Sequence, residues 1–306
     1  MALRSTPDHR FDHLEGYDYE PQYVTAVDGN ADMAYVDVGS GEETFLCLHG
    51  EPTWGYLYRK MIPELRTEGR VVVPDFVGFG RSDKYTTVEE YSFEMHYQSL
   101  ETFVEELDLQ EATLICQDWG SVLGLPLAVS EQPHRFDRVV AANALLTDGE
   151  RDTTLTDTWY GFKEMVEAAR DLPLATFDIS GLIDFSCEGT LSPSAARAYD
   201  APFPDDETKA GAYAWPPMVP QDPDMPGADL HADLLEDLEE YDKPFLTAFS
   251  DADDVTRHYR DQLRELVPGA DDQPDIWIED AGHFLQEEAG GELAEYVTDF
   301  VRRTRG

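Results

Sequence analysis

The sequence predicts an α/β protein with a mostly parallel central sheet, flanked by helices and interrupted by a helical insertion. Up to about residue 145, short apolar runs of strand length alternate with helical patterns, as is typical of parallel sheets. Between residues 147 and 227 the strand signals stop, while aromatic residues, prolines and helical patterns dominate. We therefore expect a core domain, residues 1–146 and 228–306, interrupted by a helical cap domain, residues 147–227.

Apolar and β-branched residues mark the strands, and a period of about 3.6 residues marks the helices. The clearest helix runs from Phe93 to Leu107, where apolar residues recur on one face and acids occupy the other. Other helices are expected at 159–170, 192–199 and near 293–301, and strands at 34–38, 44–48, 71–73, 112–116, 138–142, 245–249 and 276–278.

The composition limits the partners that this protein can have. Its 306 residues are 42% hydrophobic, which is enough for a large core, and 64 acidic against 22 basic residues give a formal charge of −42. The acids are spread over the whole length. Such a surface repels nucleic acid phosphates and anionic lipids, so we expect neither nucleic acid nor membrane as a partner.

Cys47, Cys116 and Cys187 lack the spacing of metal ligands, and the first two fall in apolar runs. They are typical of reduced, buried side chains and favour a cytoplasmic location, as do the absence of a signal-peptide pattern and of eighteen consecutive apolar residues. No pattern indicates a metal or a cofactor.

The central motif is Gln117–Ser121, which lies between an apolar strand and a helix rich in small residues. This is the setting of a nucleophile elbow, a tight strand-to-helix turn that pushes one side chain into a pocket. The apex residue is Asp118, where esterases carry serine. Ser121 is a competing nucleophile, but it lies beyond the apex and is expected to be a small residue at the helix start.

Two more polar groups follow predicted strands at the same edge of the sheet. One is the acidic run Asp251–Asp254, and the other is His283. An order of nucleophile, acid and histidine is that of the triads in α/β-hydrolases. Spacing alone leaves open whether Asp251, Asp253 or Asp254 is the triad acid.

A further turn, which begins at His49, follows its own strand. It can direct the backbone N–H of Glu51 to the same point as the N–H of Trp119, which is the geometry of an oxyanion hole. For His49 itself, we favour a structural hydrogen-bonding role over a catalytic one.

An aspartate nucleophile predicts displacement at a saturated carbon. The carboxylate of Asp118 expels a leaving group and forms an alkyl ester, which is cleaved by water that His283 deprotonates. A serine at the apex would have predicted acyl transfer.

These motifs resemble those of the haloalkane dehalogenases, from about Tyr23 to Phe300. The resemblance implies an α/β-hydrolase fold with a cap, and hydrolysis of haloalkanes to alcohol and halide with water as the second substrate. It is carried by residues 49–61 (HGEPTWGYLYRKM), 75–84 (DFVGFGRSDK), 117–121 (QDWGS), 201–205 (APFPD) and 280–284 (DAGHF).

The resemblance is greatest to the subfamily whose triad acid follows the later strand, which selects Asp253. The other main subfamily would have glutamate near position 143, where this chain has Asn143. The family holds the halide between two indole N–H groups, and Trp119 matches the first by position. Trp159 is our choice for the second, with Trp215, expected in the pocket wall, as its rival.

Two other functions compete with this one. An epoxide hydrolase shares the aspartate nucleophile but protonates a ring oxygen with cap tyrosines, for which Tyr160, Tyr199 and Tyr213 are candidates. Against it stand Glu51, where those enzymes usually carry an aromatic residue, and Gln117, where they usually carry histidine. The third possibility is a small-molecule binding protein without turnover. The complete set of Asp118, Asp253 and His283 argues against it, because binding alone does not require a catalytic triad.

The charge of −42 predicts adaptation to high salt, because a Debye length of ~3 Å at 1 M salt screens the self-repulsion of the surface. The melting temperature should therefore fall when KCl is diluted, as measured by thermal unfolding across a salt series. A melting temperature indifferent to KCl would contradict this adaptation.

Overall fold

A computed structural model describes residues 3–26, 29–147, 155–170 and 177–305. The strands found there lie close to the predicted positions and usually extend one or two residues further. They are β1 (Leu3–Arg4), β2 (Gln22–Thr25), β3 (Asp32–Val38), β4 (Glu43–Leu48), β5 (Gly69–Pro74), β6 (Lys84–Tyr85), β7 (Ala112–Asp118), β8 (Phe136–Ala144), β9 (Phe245–Ser250) and β10 (Ile276–Ile278).

Eight of these strands form one sheet in the order β10-β9-β8-β7-β4-β5-β3-β2. Neighbouring strands from β10 to β5 are parallel, whereas β3 pairs antiparallel with β5 and with β2. The prediction of a mostly parallel sheet is confirmed. The two-strand ribbon of β1 and β6 and the antiparallel edge strand β2 were not predicted, because such short segments carry little periodicity.

Helices cover the sheet and bury its apolar strands, of which β7 is buried at every residue. The predicted helix over 93–107 is α2. The full set is α1 (Ile62–Leu65), α2 (Phe93–Glu106), α3 (Trp119–Leu125), α4 (Asp157–Arg170), α5 (Ile179–Phe185), α6 (Pro193–Asp200), α7 (Ala210–Met218), α8 (Ala228–Leu238), α9 (Tyr259–Leu266) and α10 (Leu285–Thr304).

The described residues between β8 and β9 contain five helices, α4 to α8, and no strand. Among them, α4 packs on α7 and α5 packs on α6, while α8 packs on the core segment Pro126–Glu131 that continues α3. Helix α7 was missed in the sequence, because Pro216 and Pro217 inside it argue against a helix there.

The carboxyl ends of β4, β7, β9 and β10 meet at one edge of the sheet, which is where open α/β sheets bind their ligands. The predicted polar residues all follow these strands. Cys47, Cys116 and Cys187 are unpaired. In the part of the chain that the structure describes, no helix is long and apolar enough to cross a membrane.

Candidate active site

Asp118 is the last residue of β7 and forms the strained turn into α3, which begins at Trp119. Its φ of 50° and ψ of −121° lie outside the regions that non-glycine residues favour, at a cost of ~1–3 kcal/mol. The turn is tight because a Cβ atom at Gly120 would lie 2.3 Å from the carbonyl oxygen of Leu48, and one at Gly50 would lie 2.4 Å from the Cβ of Asp118. Glycine at both positions lets the neighbouring turns hold the aspartate at the apex.

Ser121 is buried behind this apex. Its hydroxyl donates to the carbonyl of Asp118 at 2.5 Å and accepts from the N–H of Leu145 at 2.8 Å. The hydroxyl therefore ties the elbow to the end of β8, as expected for a residue at the helix start. It does not line the cavity described below.

The imidazole of His283 lies between two carboxylates. Its Nδ1 is 3.2 Å from both oxygens of Asp253, and its Nε2 is 3.7 Å from Oδ2 of Asp118. The first contact is a hydrogen bond, whereas the second is too long for one. The structure thus brings together the three residues predicted to form a triad.

Asp253 is the acid of the run that reaches His283. It is almost completely buried, and it also accepts hydrogen bonds from the backbone N–H and hydroxyl of Thr256 and from the N–H of Val255 at 2.9 Å. Asp254 instead forms an exposed ion pair with Arg257, and the buried Oδ1 of Asp251 has no hydrogen-bond partner among the described residues.

Burial and neighbouring charges shift the pKa values of His283 and Asp253 in opposite directions. Burial alone would lower the pKa of His283, but the negative charges of Asp253 and Asp118 outweigh it and raise that pKa to about 10. Burial would likewise raise the pKa of Asp253, but the charge and hydrogen bond of His283 hold it below its ordinary value. The buried imidazole is therefore cationic at neutral pH, paired with the carboxylate of Asp253.

Two amide side chains hold His283 in place, and sequence reasoning did not assign this role to either. Asn143 donates to the carbonyls of His283 and Gly282 at 3.0 and 3.1 Å, and it is joined to Ser250 at the end of β9. The amide nitrogen of Gln117 donates to the carbonyl of His283 at 3.4 Å and lies 3.0 Å from Nε2 of the ring. Their positions at strand ends were the one signal available in the sequence.

Backbone N–H groups surround Asp118. The N–H of Glu51 donates to Oδ1 of Asp118 at 2.7 Å, and Trp119, as the first residue of α3, has an N–H without an intrahelical partner. Oδ1 is therefore held by the protein, whereas Oδ2 faces His283.

The side chain of Glu51 is unusual for a buried carboxyl. Neither of its oxygens has a hydrogen-bond partner in the described part of the protein, although the residue is only 5% exposed. Burial and the neighbouring charge of Asp118 raise the pKa of Glu51 well above its ordinary value. Both effects disfavour the charged form of this carboxyl.

His49 has a structural position. Its Nε2 accepts the N–H of Phe76 at 3.1 Å, and Nδ1 lies 3.1 Å from the carbonyl of Gly50. Burial lowers the pKa of His49 to about 4, so the ring is neutral. These contacts fix the turn that carries Gly50 and Glu51.

Asp118, Glu51 and His283 line a cavity of about 300 Å³. Most of the other lining residues are apolar, and they come from α4, α5, α7 and the loops that follow the strands. This volume suits a small apolar molecule. The other lining residues are Pro52, Trp119, Thr158, Trp159, Gly161, Phe162, Met165, Leu182, Phe185, Ser186, Pro216, Val255 and Phe284.

Trp119 and Trp159 both line this cavity, from the start of α3 and the first turn of α4. Neither indole N–H donates a hydrogen bond within the described residues. Two indole side chains are therefore part of the wall of the cavity that Asp118 also lines.

Trp215 was expected in the pocket wall, but it is not among the residues that line the cavity. It is completely buried, stacks on Trp119 with 4.8 Å between ring centroids, and donates its indole N–H to Nε2 of His96 at 2.7 Å. Burial lowers the pKa of His96 to about 3, which keeps the ring a neutral acceptor. The next residue in the chain, Pro216, lines the cavity instead of Trp215.

The three tyrosines on which an epoxide hydrolase would depend are also not among the residues that line the cavity. Tyr199 donates to Glu287 at 2.6 Å, Tyr213 packs on Phe177, and Tyr160 is partly exposed to solvent. No tyrosine is among the described residues that line the cavity. Nor do the described His, Cys, Asp and Glu side chains form a group that could hold a metal ion.

Comparison with known proteins agrees with this geometry. The chain matches the model of the α/β hydrolase fold over residues 43–290. A haloalkane dehalogenase of Psychrobacter cryohalolentis is 39% identical over 98% of both chains, and haloalkane dehalogenase 1 of Mycobacterium tuberculosis is 40% identical over 99% of this chain and 100% of its own. The tetrameric haloalkane dehalogenase DpaA of Paraglaciecola agarilytica is 36% identical, with a TM-score of 0.85 over 96% of this chain and 97% of that one.

These similarities extend over nearly the full length, well beyond the motifs around Asp118 and His283. The resemblance predicted from the sequence is therefore confirmed, and the chain belongs to the haloalkane dehalogenases, with the α/β-hydrolase fold.

Proposed function

We propose that this protein hydrolyses haloalkanes to the alcohol and the halide, with Asp118 as nucleophile. The observation that carries the proposal is that Asp118 lines a mostly apolar cavity 3.7 Å from the imidazole of His283, and that Trp119 and Trp159 line the same cavity. A carboxylate there suits attack on a saturated carbon, and family membership gives the same reaction.

In the first step, Oδ2 of Asp118 attacks the carbon that bears the halogen. The new C–O bond forms as the carbon–halogen bond breaks, and the electron pair leaves with the halide. Oδ2 is the attacking atom because Oδ1 is already bound by the N–H of Glu51. In the ester, Oδ1 becomes the carbonyl oxygen and keeps this donor.

In the second step, water attacks the ester carbon of Asp118 and gives one proton to His283. Negative charge then develops on Oδ1, where the N–H groups of Glu51 and Trp119 receive it. The intermediate collapses, and the alkoxide leaves with the proton from His283 as the alcohol. Asp118 returns to its carboxylate by releasing a proton to solvent, so the sum is haloalkane plus water to alcohol, halide and a proton.

The charges explain how His283 can be a base in the second step only. In the free enzyme, Asp118 and Asp253 both stabilise the imidazolium. Esterification removes the charge of Asp118, so the pKa of His283 falls and the neutral ring can accept a proton from water. Asp253 remains to orient the ring and stabilise its charged form.

We propose that Trp119 and Trp159 bind the leaving halide. Neutral N–H donors stabilise a developing anion in a dry cavity without the strong attraction that a cationic side chain would exert. Trp215 is the weaker candidate because its indole N–H is bonded to His96.

We also propose that residues 147–227 form the cap over the core, which comprises residues 1–146 and 228–306. Support comes from α4, α5 and α7, which supply residues that line the cavity together with residues at the strand ends. A cytoplasmic location is proposed as well, on the basis of the three unpaired cysteines.

The decisive experiment is halide release from 1,2-dibromoethane or 1-bromobutane. Wild type should release halide steadily, whereas Asp118→Ala should release none, because it lacks the attacking carboxylate. His283→Phe should release one equivalent and then stop, with the alkyl group retained on Asp118, as measured by intact mass and peptide mapping.

The double variant Ser121→Ala/His283→Phe is the matched control, since Ser121 lies three residues from Asp118 but outside the cavity; it should retain the same adduct on Asp118. An adduct on Ser121 would refute the nucleophile. A protein that binds the substrate and never releases halide would instead be a binding protein.

The fall in the pKa of His283 predicts different pH dependences for the two states. The rate of ester hydrolysis in single turnovers should reach its plateau at a lower pH than the titration of His283 in the free enzyme, because the ester has lost one neighbouring charge. Stopped-flow rates and NMR titration of the imidazole give the two values. Coincident values would contradict the proposed change of role.

The stack behind Trp119 predicts an effect of His96 on halide binding. His96→Leu leaves the buried N–H of Trp215 without an acceptor, which costs ~1–3 kcal/mol and loosens the wall against which Trp119 packs. The halide dissociation constant, measured by fluorescence quenching, should rise by roughly threefold to tenfold. His96→Gln keeps an acceptor and should restore binding; loss of thermal stability with unchanged halide binding would show that the contact affects the fold alone.

A further inference from the structure

Gly282, the residue before His283, has no task in the mechanism above, although its surroundings are unusually close. A Cβ atom at this position would lie 2.3 Å from the carbonyl oxygen of Ser186, which directly follows α5 in the helical insertion. The N–H of His283 donates to the same carbonyl at 2.8 Å. Glycine therefore lets the loop that carries His283 lie in direct backbone contact with the insertion.

Glu288 joins the same two segments through its side chain. It lies in the first turns of α10, where its Oε2 accepts the N–H of Gly282 at 2.7 Å. Its Oε1 accepts the N–H of Gly189 at 2.6 Å, soon after the end of α5. One carboxylate thus bridges a loop of the core and a loop of the insertion, with one oxygen for each.

These contacts divide the support of His283 between two parts of the chain. From the core, Asn143 donates to the carbonyls of Gly282 and His283. The N–H groups of the same two residues are bonded to the side chain of Glu288 and to the carbonyl of Ser186. Ser186 also lines the cavity, so the cavity wall and the backbone of His283 meet at one residue.

We propose that Glu288 is a positioning residue for the hydrolytic step, which clamps the segment 186–189 of the insertion to the loop of His283. This inference rests on the proposed function, because it concerns the ester intermediate on Asp118. Glu288 is not among the residues that line the cavity. It acts by fixing the backbone from which the imidazole reaches the attacking water.

The neighbouring acid, Glu287, supports the same connection through different contacts. Its carboxylate accepts from both terminal nitrogens of Arg59, at 2.5 and 2.6 Å, and from the hydroxyl of Tyr199 in α6 at 2.6 Å. Two adjacent acids of α10 therefore hold the insertion, Glu287 at α6 and Glu288 behind α5. Of the two, Glu288 is the one whose side chain also bonds the loop of His283.

The two chemical steps depend differently on this clamp. Asp118 attacks the haloalkane as a carboxylate, and this step requires no base. Hydrolysis requires His283 to face a water at the ester, and an error of about 1 Å in such an alignment can cost about 100-fold in rate. Release of the clamp should therefore slow the second step and spare the first.

The test compares variants of Glu288 in single turnovers with 1-bromobutane. Glu288→Leu removes both acceptors at similar volume, so the halide burst should stay near that of wild type while ester hydrolysis slows about 10- to 30-fold. Glu288→Gln keeps one acceptor oxygen for the two N–H groups and should slow hydrolysis by only about threefold.

Glu188→Gln is the matched control for the lost charge. Glu188 is an exposed residue of the same segment and is not part of the clamp. This variant should hydrolyse the ester within about twofold of the wild-type rate, since exposed charges interact weakly. Equal slowing in Glu188→Gln and Glu288→Gln would show that charge sets the rate and would overturn the assignment.

Gly282→Ala perturbs the same contact from the core side, because the added Cβ would meet the carbonyl of Ser186. It should also slow ester hydrolysis, and the double variant with Glu288→Leu should be no slower than the slower single variant, since both break one connection. In each variant, hydrogen exchange measured by mass spectrometry should speed up in residues 186–189 and 281–284 together. Slowing in the double variant by the product of the two single effects would contradict the clamp.

Rapid-quench halide release measures the first step, and intact mass of the alkylated protein measures the second. The halide burst also reports that each variant is folded. Ester hydrolysis in Glu288→Leu at the wild-type rate, or a defect confined to the burst, would overturn the role of Glu288.

Failure of the proposed function is distinguishable from failure of this inference. If the dehalogenation mechanism is wrong, wild type shows no halide burst and His283→Phe accumulates no ester. If only the role of Glu288 is wrong, the ester forms in all of these proteins and Glu288→Leu turns it over normally.

Discussion

The tight turn at Asp118 is the constraint on which the rest of the site depends. A carboxylate can point from the end of β7 into the cavity only because its backbone adopts a positive φ, and that backbone fits only because Gly50 and Gly120 have no Cβ. The same turn begins α3, so the first free N–H of that helix lies next to the nucleophile. Strain of this kind persists where the surrounding structure holds it, here through β4, β7 and the hydroxyl of Ser121.

The second organising feature is the pair of acids that flank one imidazole, with a third acid, Glu51, in the wall of the same cavity. Asp118 and Asp253 raise the pKa of His283, while burial and the charge of Asp118 raise the pKa of Glu51. Identical chemical groups therefore differ in their properties, because their surroundings differ. Asp118 accepts a backbone hydrogen bond at Oδ1, Asp253 accepts hydrogen bonds at both oxygens, and neither carboxyl oxygen of Glu51 has a partner among the described residues.

The helical insertion gives the cavity its apolar character. Helices α4, α5 and α7 contribute most of the apolar wall, and the stack of Trp215 on Trp119 supports the indole beside Asp118. This arrangement gives the cavity a mostly apolar wall, with the polar groups of Asp118, Glu51 and His283 at the strand ends. Substrate selection by such a site depends on the shape of the helical wall, whereas the bond chemistry depends on the strand ends.

The sequence by itself determined the α/β core, the order of its strands along the chain and the residues at their ends. The spacing of apolar residues and the length of apolar runs indicate which segments are buried, and in which type of element. Asp118, Asp253 and His283 were found in this way, with the choice of Asp253 taken from the family resemblance. Sequence reasoning could not see that Trp215 lies behind Trp119, that Asn143 and Gln117 hold His283, or that the carboxyl of Glu51 has no partner. These facts depend on which side chains face one another across elements far apart in the chain, so only the tertiary structure decided them.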